Sequence, residues 1–397
     1  MTVNGLLGSI ADVGVDRVRG GYSRHGFDRV EHELREWFVA EATRRALSVR
    51  ADRNGNLWAW WGDPGKDAVV TGSHLDSVPG GGAFDGPLGV VSALDAVDRL
   101  RASGFTPRRP FAIVVFVEEE GGRFGIPCLG SRLMTGAIGA DHARGLRDLE
   151  GVSLAEAVSA AGANPERLGV DRQSLAAIGC FVELHVEQGR GLVDLAAPVG
   201  VATSILAHGR WRFTFTGEGN HAGSTLIEDR RDPMLPAARV VLAARRAARS
   251  GARATVGRIV PVPGGTNVIP SSVDVWLDAR AEDGAATKSV VAEVTAAARQ
   301  AAGDEGCEVL VTEESFGDTV VFDPALRDEL SVALGGVPLL PTGAGHDAGV
   351  LAGTVPTAML FVRNPTGISH SPAEHVEPAD CDAGVSALVK VLEHLLS

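Results

Sequence analysis

The 397-residue chain is poor in cysteine and has no long apolar run, and both absences narrow what it can be. Its four cysteines, Cys128, Cys180, Cys307 and Cys381, lie far apart and form no CxxC pair. That argues against a zinc finger and against a disulfide framework, and for buried, reduced thiols. No stretch of about twenty apolar residues occurs, so no membrane-spanning helix is expected. The first residues, Met1-Thr2-Val3-Asn4-Gly5-Leu6-Leu7-Gly8, lack a basic segment followed by an apolar one. The expectation is therefore a cytoplasmic protein without a secretory signal. Basic residues are in the minority, and a formal charge of −13 speaks against nucleic acid or anionic membrane as a partner. An anionic small molecule stays compatible with that charge, because one Arg or a bound divalent cation can set the local field.

What is present is organised around one glycine-rich turn. The β-branched run Ala68-Val69-Val70-Thr71 reads as a buried parallel strand leading into Gly72-Ser73-His74-Leu75-Asp76. The loop Gly80-Gly81-Gly82-Ala83-Phe84-Asp85-Gly86 follows, and a helix starts near Pro87. His74 and Asp76 thus fall at the carboxyl end of a strand, where ligands collect in open α/β sheets. The glycines let the backbone turn tightly enough for Asp85 to reach the same point. Taken alone, the segment is either a capped turn or half of a metal site.

The strand expected over 111–117 ends in Glu118-Glu119-Glu120. Adjacent carboxylates at the end of a buried strand repel one another and need positive charge nearby. A metal supplies it if one Glu is a ligand and a neighbour shuttles protons. Further on, Val182 to Val186 alternates like a half-buried strand and puts Glu183, His185 and Glu187 on one face. With a helix over 28–47, a strand over 55–62 and a helix over 87–102, the pattern is that of a mostly parallel sheet covered on both faces. From residue 207 the pattern becomes strand-helix-strand-strand-helix-strand, ending near 312. An inserted α+β, ferredoxin-like domain over 207–322 is expected, interrupting a discontinuous domain of 1–206 and 323–397. The chain returns to the first pattern with a glycine-rich loop at 341–348, a strand at 356–362, a loop at 367–374 and a last helix at 379–396.

The segments GSHLDSVPGGGAFDGPLGV, EEEGGRFG with PCLGSR, ELHVEQG, GNHAGST with RRDP, PGGTNVIP, GAGHDA and GISHSPAE fall in this order from 72 to 374. As a set they resemble the ureido-cleaving branch of the dinuclear metallopeptidase-like M20 amidohydrolases. That branch holds the N-carbamoyl-L-amino-acid hydrolases, β-ureidopropionases and allantoate amidohydrolases. The resemblance implies a metal shell of His74, Asp85, Glu120, His185 and His370, with Asp85 shared between two ions and Asp76 orienting His74. It implies Glu119 as general base, His221 as the group stabilising the oxyanion, and Gln188, Asn267 and Arg280 as substrate-binding residues. Zinc, manganese, cobalt and nickel all suit such ligands. The implied reaction is metal-assisted hydrolysis of a ureido group on a carboxylate-bearing small molecule, with Glu119 moving the proton and ammonia leaving. The resemblance further makes the inserted domain a lid and a homodimer contact.

From sequence alone Glu118 is a second candidate base. After His221-Ala222-Gly223 the branch often reads Thr-Thr-Pro-Met, and here Ser224-Thr225-Leu226-Ile227 stands instead. The competing readings are an aminoacylase or dipeptidase with the same metals and, further off, a non-catalytic dimeric binding protein.

Overall fold

The run at 68–71 continues as a strand to His74, and every residue of Ala68–His74 is buried. In the computed structural model, which describes residues 1–249 and 251–397, this strand is at the centre of a nine-stranded sheet. Its neighbours Phe111–Phe116 and Ile178–Val186 run parallel to it, and Thr357–Val362 runs parallel to the latter. Antiparallel strands close the flanks: Leu57–Trp61 with Ser48–Ala51 on one side, Val199–Ile205 on the other. The fold class expected from the sequence is the one observed, and its four central strands are parallel.

The central strands are buried almost throughout because helices cover both faces. Pro87–Ala102 begins with proline, whose missing N–H costs nothing in a first turn, and buries twelve of its sixteen residues. It packs against the last helix, Pro378–Leu396. The helix Arg29–Arg44 is capped by Asp28, whose side chain accepts the Glu31 N–H.

One expectation is corrected. The alternation at 182–186 suggested a half-buried strand, yet Cys180 to Val186 is buried without a break. Glu183 and His185 are polar there because they carry the site, so the alternation marks function and not solvent.

By its internal packing the chain divides into two units, Met1–Ser204 with Val321–Ser397, and Ile205–Val320. The second unit holds a four-stranded antiparallel sheet in the order Glu308–Gly317, Ala207–Thr216, Ser272–Ala281, Arg253–Val262. Helices Met234–Ala247 and Gly284–Asp304 pack on its apolar face, around Phe213, Phe215, Val273 and Val275. Among the described residues no helix is long and apolar enough to cross a membrane.

Candidate metal centre

The carboxyl ends of the central strands converge on the carboxylate of Asp85. His74, the last residue of its strand, points Nε2 at Asp85 Oδ1 across 3.5 Å. His185, from the adjacent strand, points Nε2 at the same oxygen across 3.2 Å. Gly86, at φ +83°, sits against the His74 ring so closely that a Cβ there would lie 2.4 Å from it. Only glycine lets the loop pass at that distance.

Both rings are held in one tautomer by backbone carbonyls. His74 Nδ1 donates to the Asp76 carbonyl at 3.0 Å and His185 Nδ1 to the Val186 carbonyl at 2.9 Å. A carbonyl can only accept, so Nδ1 carries a proton, and in the neutral ring Nε2 is the atom with the lone pair. Neither buried Nε2 has a hydrogen-bond partner. Orphaned buried nitrogens are costly in a folded protein, and two aimed at one carboxylate oxygen are what a cation would satisfy.

The other face of Asp85 carries a second set. His370 Nε2 lies 3.6 Å from Asp85 Oδ2 and 3.3 Å from Glu120 Oε2. Ligand atoms of His74, Asp85 and His185 fall within 4.8 Å of one another, as do those of Asp85, Glu120 and His370. The two trios share Asp85, one oxygen facing each. The donor set of imidazole nitrogens and carboxylate oxygens fits divalent transition metals.

The electrostatics are those of a strained acidic pocket. Burial acts against the charged form of His74, but Glu119, Asp85 and Asp76 outweigh it and hold its pKa well above the usual value. Burial likewise opposes ionisation of Asp85, and His185 and His74 overcome it, so that carboxyl sits well below the ordinary range. Burial, and then the charge of Asp85, pushes Glu120 up to about 8.

Asp76 does more than face His74. Its carboxylate accepts the backbone N–H groups of Glu119 at 3.1 Å and Glu120 at 3.0 Å, tying the end of one central strand to the next. Glu119 turns Oε2 toward His74 Nε2 at 3.6 Å, while its Oε1 accepts the Cys128 thiol at 3.2 Å. Glu118 points elsewhere: its carboxylate accepts N–H groups of Gly26, Arg123 and Phe124 at 2.8–2.9 Å. With φ at +54° it turns the backbone so that its neighbours face the cluster. Those three bonds engage both of its oxygens with backbone N–H groups.

Gln188 donates to Asp85 Oδ2 at 2.7 Å and lies 3.0 Å from Ser369 Oγ. It is therefore placed beside the shared carboxylate. In the second unit His221 and Asn267 are neighbours, since His221 pairs with Val268 and Ala222 donates to the Asn267 carbonyl. His221 Nδ1 accepts the N–H groups of Gly223 and Ser224 at 3.0 and 3.1 Å, which leaves Nε2 as the protonated, donating atom. Arg280, on the strand Ser272–Ala281, is held by Asp278 at 2.7 and 3.0 Å.

Two further groups escaped assignment from sequence although their motifs were noticed. His346, in GAGHDA, is buried with its ring centroid 4.4 Å from that of His185, and its Nε2 has no partner. Glu374, in GISHSPAE, is buried and accepts the N–H groups of Phe84 and Asp85.

Residues 70–394 match the family model described as peptidase family M20/M25/M40. The chain is 36% identical over 377 residues to an N-carbamoyl-L-amino acid amidohydrolase of Geobacillus stearothermophilus, covering 93% of this chain and 92% of that one. It is 33% identical over 377 residues to an allantoate amidohydrolase of Bacillus subtilis, covering 91% of each. A solved amidase of the hydantoinase/carbamoylase family from Burkholderia vietnamiensis superposes with a TM-score of 0.88 at 29% identity, covering 99% of this chain and 96% of that one. With its central sheet, its second antiparallel unit and the paired trios around Asp85, the chain belongs to peptidase family M20/M25/M40.

Proposed function

We propose that this chain is a metal-dependent amidohydrolase that cleaves the ureido C–N bond of an N-carbamoyl-L-amino acid, or of a related carboxylate-bearing ureido compound such as allantoate, and releases ammonia. The observation that carries this reading is the convergence of His74 and His185 on one oxygen of Asp85, and of Glu120 and His370 on the other. The names of the full-length relatives select the ureido bond within the family.

These five residues would hold two divalent cations, zinc, manganese, cobalt or nickel. Cations there supply Lewis acidity for a carbonyl oxygen and acidify water. The residues of the chain do the rest. Glu119 takes a proton from the attacking water and returns it to the departing nitrogen. Its Oε2 is the atom for this step, because Oε1 is engaged by Cys128. Burial pushes Glu119 well above the usual carboxylate range, which favours a group that both accepts and gives back a proton. Asp76 keeps Glu119 and Glu120 in register through their backbone N–H groups. In the second unit we assign His221 Nε2–H to the developing oxyanion and Asn267 and Arg280 to the substrate carboxylate, with Asp278 presetting the guanidinium. Gln188 contributes its amide at the shared carboxylate. The unit itself we assign as lid and homodimer contact, and the protein to the cytoplasm.

The test is ammonia release from chelator-stripped protein re-supplied with each metal. Substrates are N-carbamoyl-L-amino acids, allantoate, N-carbamoyl-β-alanine and a dipeptide control. Metal-dependent ammonia from one ureido class is the expected result. Cleavage of the dipeptide alone would replace this reading with a peptidase.

A further inference from the structure

We propose that Glu374 is a positioning residue that clamps together the two loops bringing Asp85 and His370 to the cluster, and so sets the affinity for both cations. This rests on Asp85 being the shared ligand.

Glu374 lies 289 residues beyond Asp85 and is 6% exposed. Its Oε2 accepts the N–H of Phe84 at 2.8 Å and of Asp85 at 3.1 Å. Its Oε1 lies 3.5 Å from the hydroxyl of Ser369, and that hydroxyl donates to Asp85 Oδ2 at 2.9 Å. A buried carboxylate is costly unless its oxygens accept hydrogen bonds. No ion pair to Glu374 occurs among the described residues, so the two backbone N–H groups hold it.

Gly82 makes the closeness of the two loops explicit. A Cβ at Gly82 would lie 2.1 Å from Glu374 Oε2 and 2.5 Å from its Cβ. The Asp85 loop thus runs directly over the Glu374 side chain, and any side chain at 82 would push them apart.

The consequence for the site is geometric. Asp85 and His370 reach the cluster from loops far apart in sequence, and neither loop is fixed by a strand at its ligand. His370 is four residues before Glu374 in the same loop. A bond from Glu374 to the Asp85 backbone therefore fixes the distance between two ligands of one trio. Through Asp85 it also fixes the carboxylate that the other trio shares.

The inference is tested by calorimetric titration of the chelator-stripped full chain with Zn²⁺ and with Mn²⁺. Glu374→Ala and Gly82→Ala break the same contact from opposite sides. Each is expected to weaken both binding steps roughly 10–100-fold, the range seen when a group that supports a metal ligand is removed. The double variant is expected to be no weaker than the worse single one, because the two changes remove one interaction. Glu374→Gln keeps an acceptor oxygen for the two N–H groups and is expected to stay within a few-fold of wild type. If Glu374→Ala fails to fold, Glu374→Asp carries the test, since its shorter side chain cannot hold both N–H groups. Wild-type affinity in Glu374→Ala or Glu374→Asp overturns the inference, as does a multiplicative loss in the double variant. No cation binding by wild type would overturn the reading of Asp85 and this inference with it, whereas normal wild-type binding with unaffected variants defeats this inference alone.

Discussion

The two trios around Asp85 are built differently. His74 and His185 are 1% exposed or less, sit on adjacent central strands and have their tautomers set by backbone carbonyls. Glu120 and His370 come from loops, and the His370 side chain is half exposed, with its backbone at φ +54°. The first trio is preorganised by the sheet; the second depends on loop-to-loop bonds such as that of Glu374. The difference implies unequal partners: a cation that stays with the sheet, and one whose binding reports on the loops.

The largest effect expected is on turnover, from a group in neither trio. Glu119→Gln should keep both cations and lose roughly 10²–10⁴-fold in kcat, the usual worth of a general base. Metal analysis beside steady-state ammonia release checks it, and a near-normal rate would remove Glu119 from the mechanism. The comparison between trios is then broken directly by paired alanine variants. His74→Ala should remove the sheet-side cation and also lower stability, because it opens a cavity among fully buried neighbours. His370→Ala should remove only the loop-side cation and leave the melting temperature of the metal-free chain nearly unchanged. Equal melting temperatures for the two variants would show that the trios do not differ in the way described.

A smaller effect concerns pH. In the cation-free chain, burial raises Glu118 and Glu374 to about 7 and Glu120 to about 8. A carboxyl raised in the folded state contributes stability at low pH that is lost as pH climbs through its folded value. The raised His74 acts in the same direction, while His346, held well below its usual value by burial and then His185, acts oppositely only below about 6.5. Thermal unfolding of the stripped chain should therefore give a falling melting temperature from about pH 6.5 to about pH 9, and added divalent cation should flatten the slope. A rising one would contradict the electrostatic description. The smallest effect is expected for Cys128→Ala, which frees Glu119 Oε1 and should lower kcat a few-fold, with Cys128→Ser restoring it.

Much of this was legible in the sequence, for a physical reason. Ligands at strand ends are announced by the strand before them, so His74 and the carboxylates after Phe116 could be located from apolar runs alone. Asp85 could be brought to the same point by its glycine-rich turn, whereas His370 stood in a loop that only the resemblance could assign. What stayed hidden depends on partners distant in the chain. Glu118 stayed a second candidate base beside Glu119, because its acceptance of the Gly26 N–H, 92 residues away, leaves no local trace. The clamp by Glu374 has the same character. Asp76 was expected to orient His74; its backbone carbonyl meets the ring at 3.0 Å and its carboxylate lies 3.6 Å away. Spacing cannot tell a side chain from the carbonyl of the same residue. The helices between 129 and 177 went unread because they are short, the longest having seven residues, and carry little periodicity.

The most direct test of the account is cation stoichiometry in wild type and in Asp85→Ala, measured by titration of the stripped chain. Two ions per chain in wild type, and loss of both high-affinity steps in the variant, is the predicted result. Two undiminished steps in Asp85→Ala would contradict the shared carboxylate and, with it, the proposed chemistry.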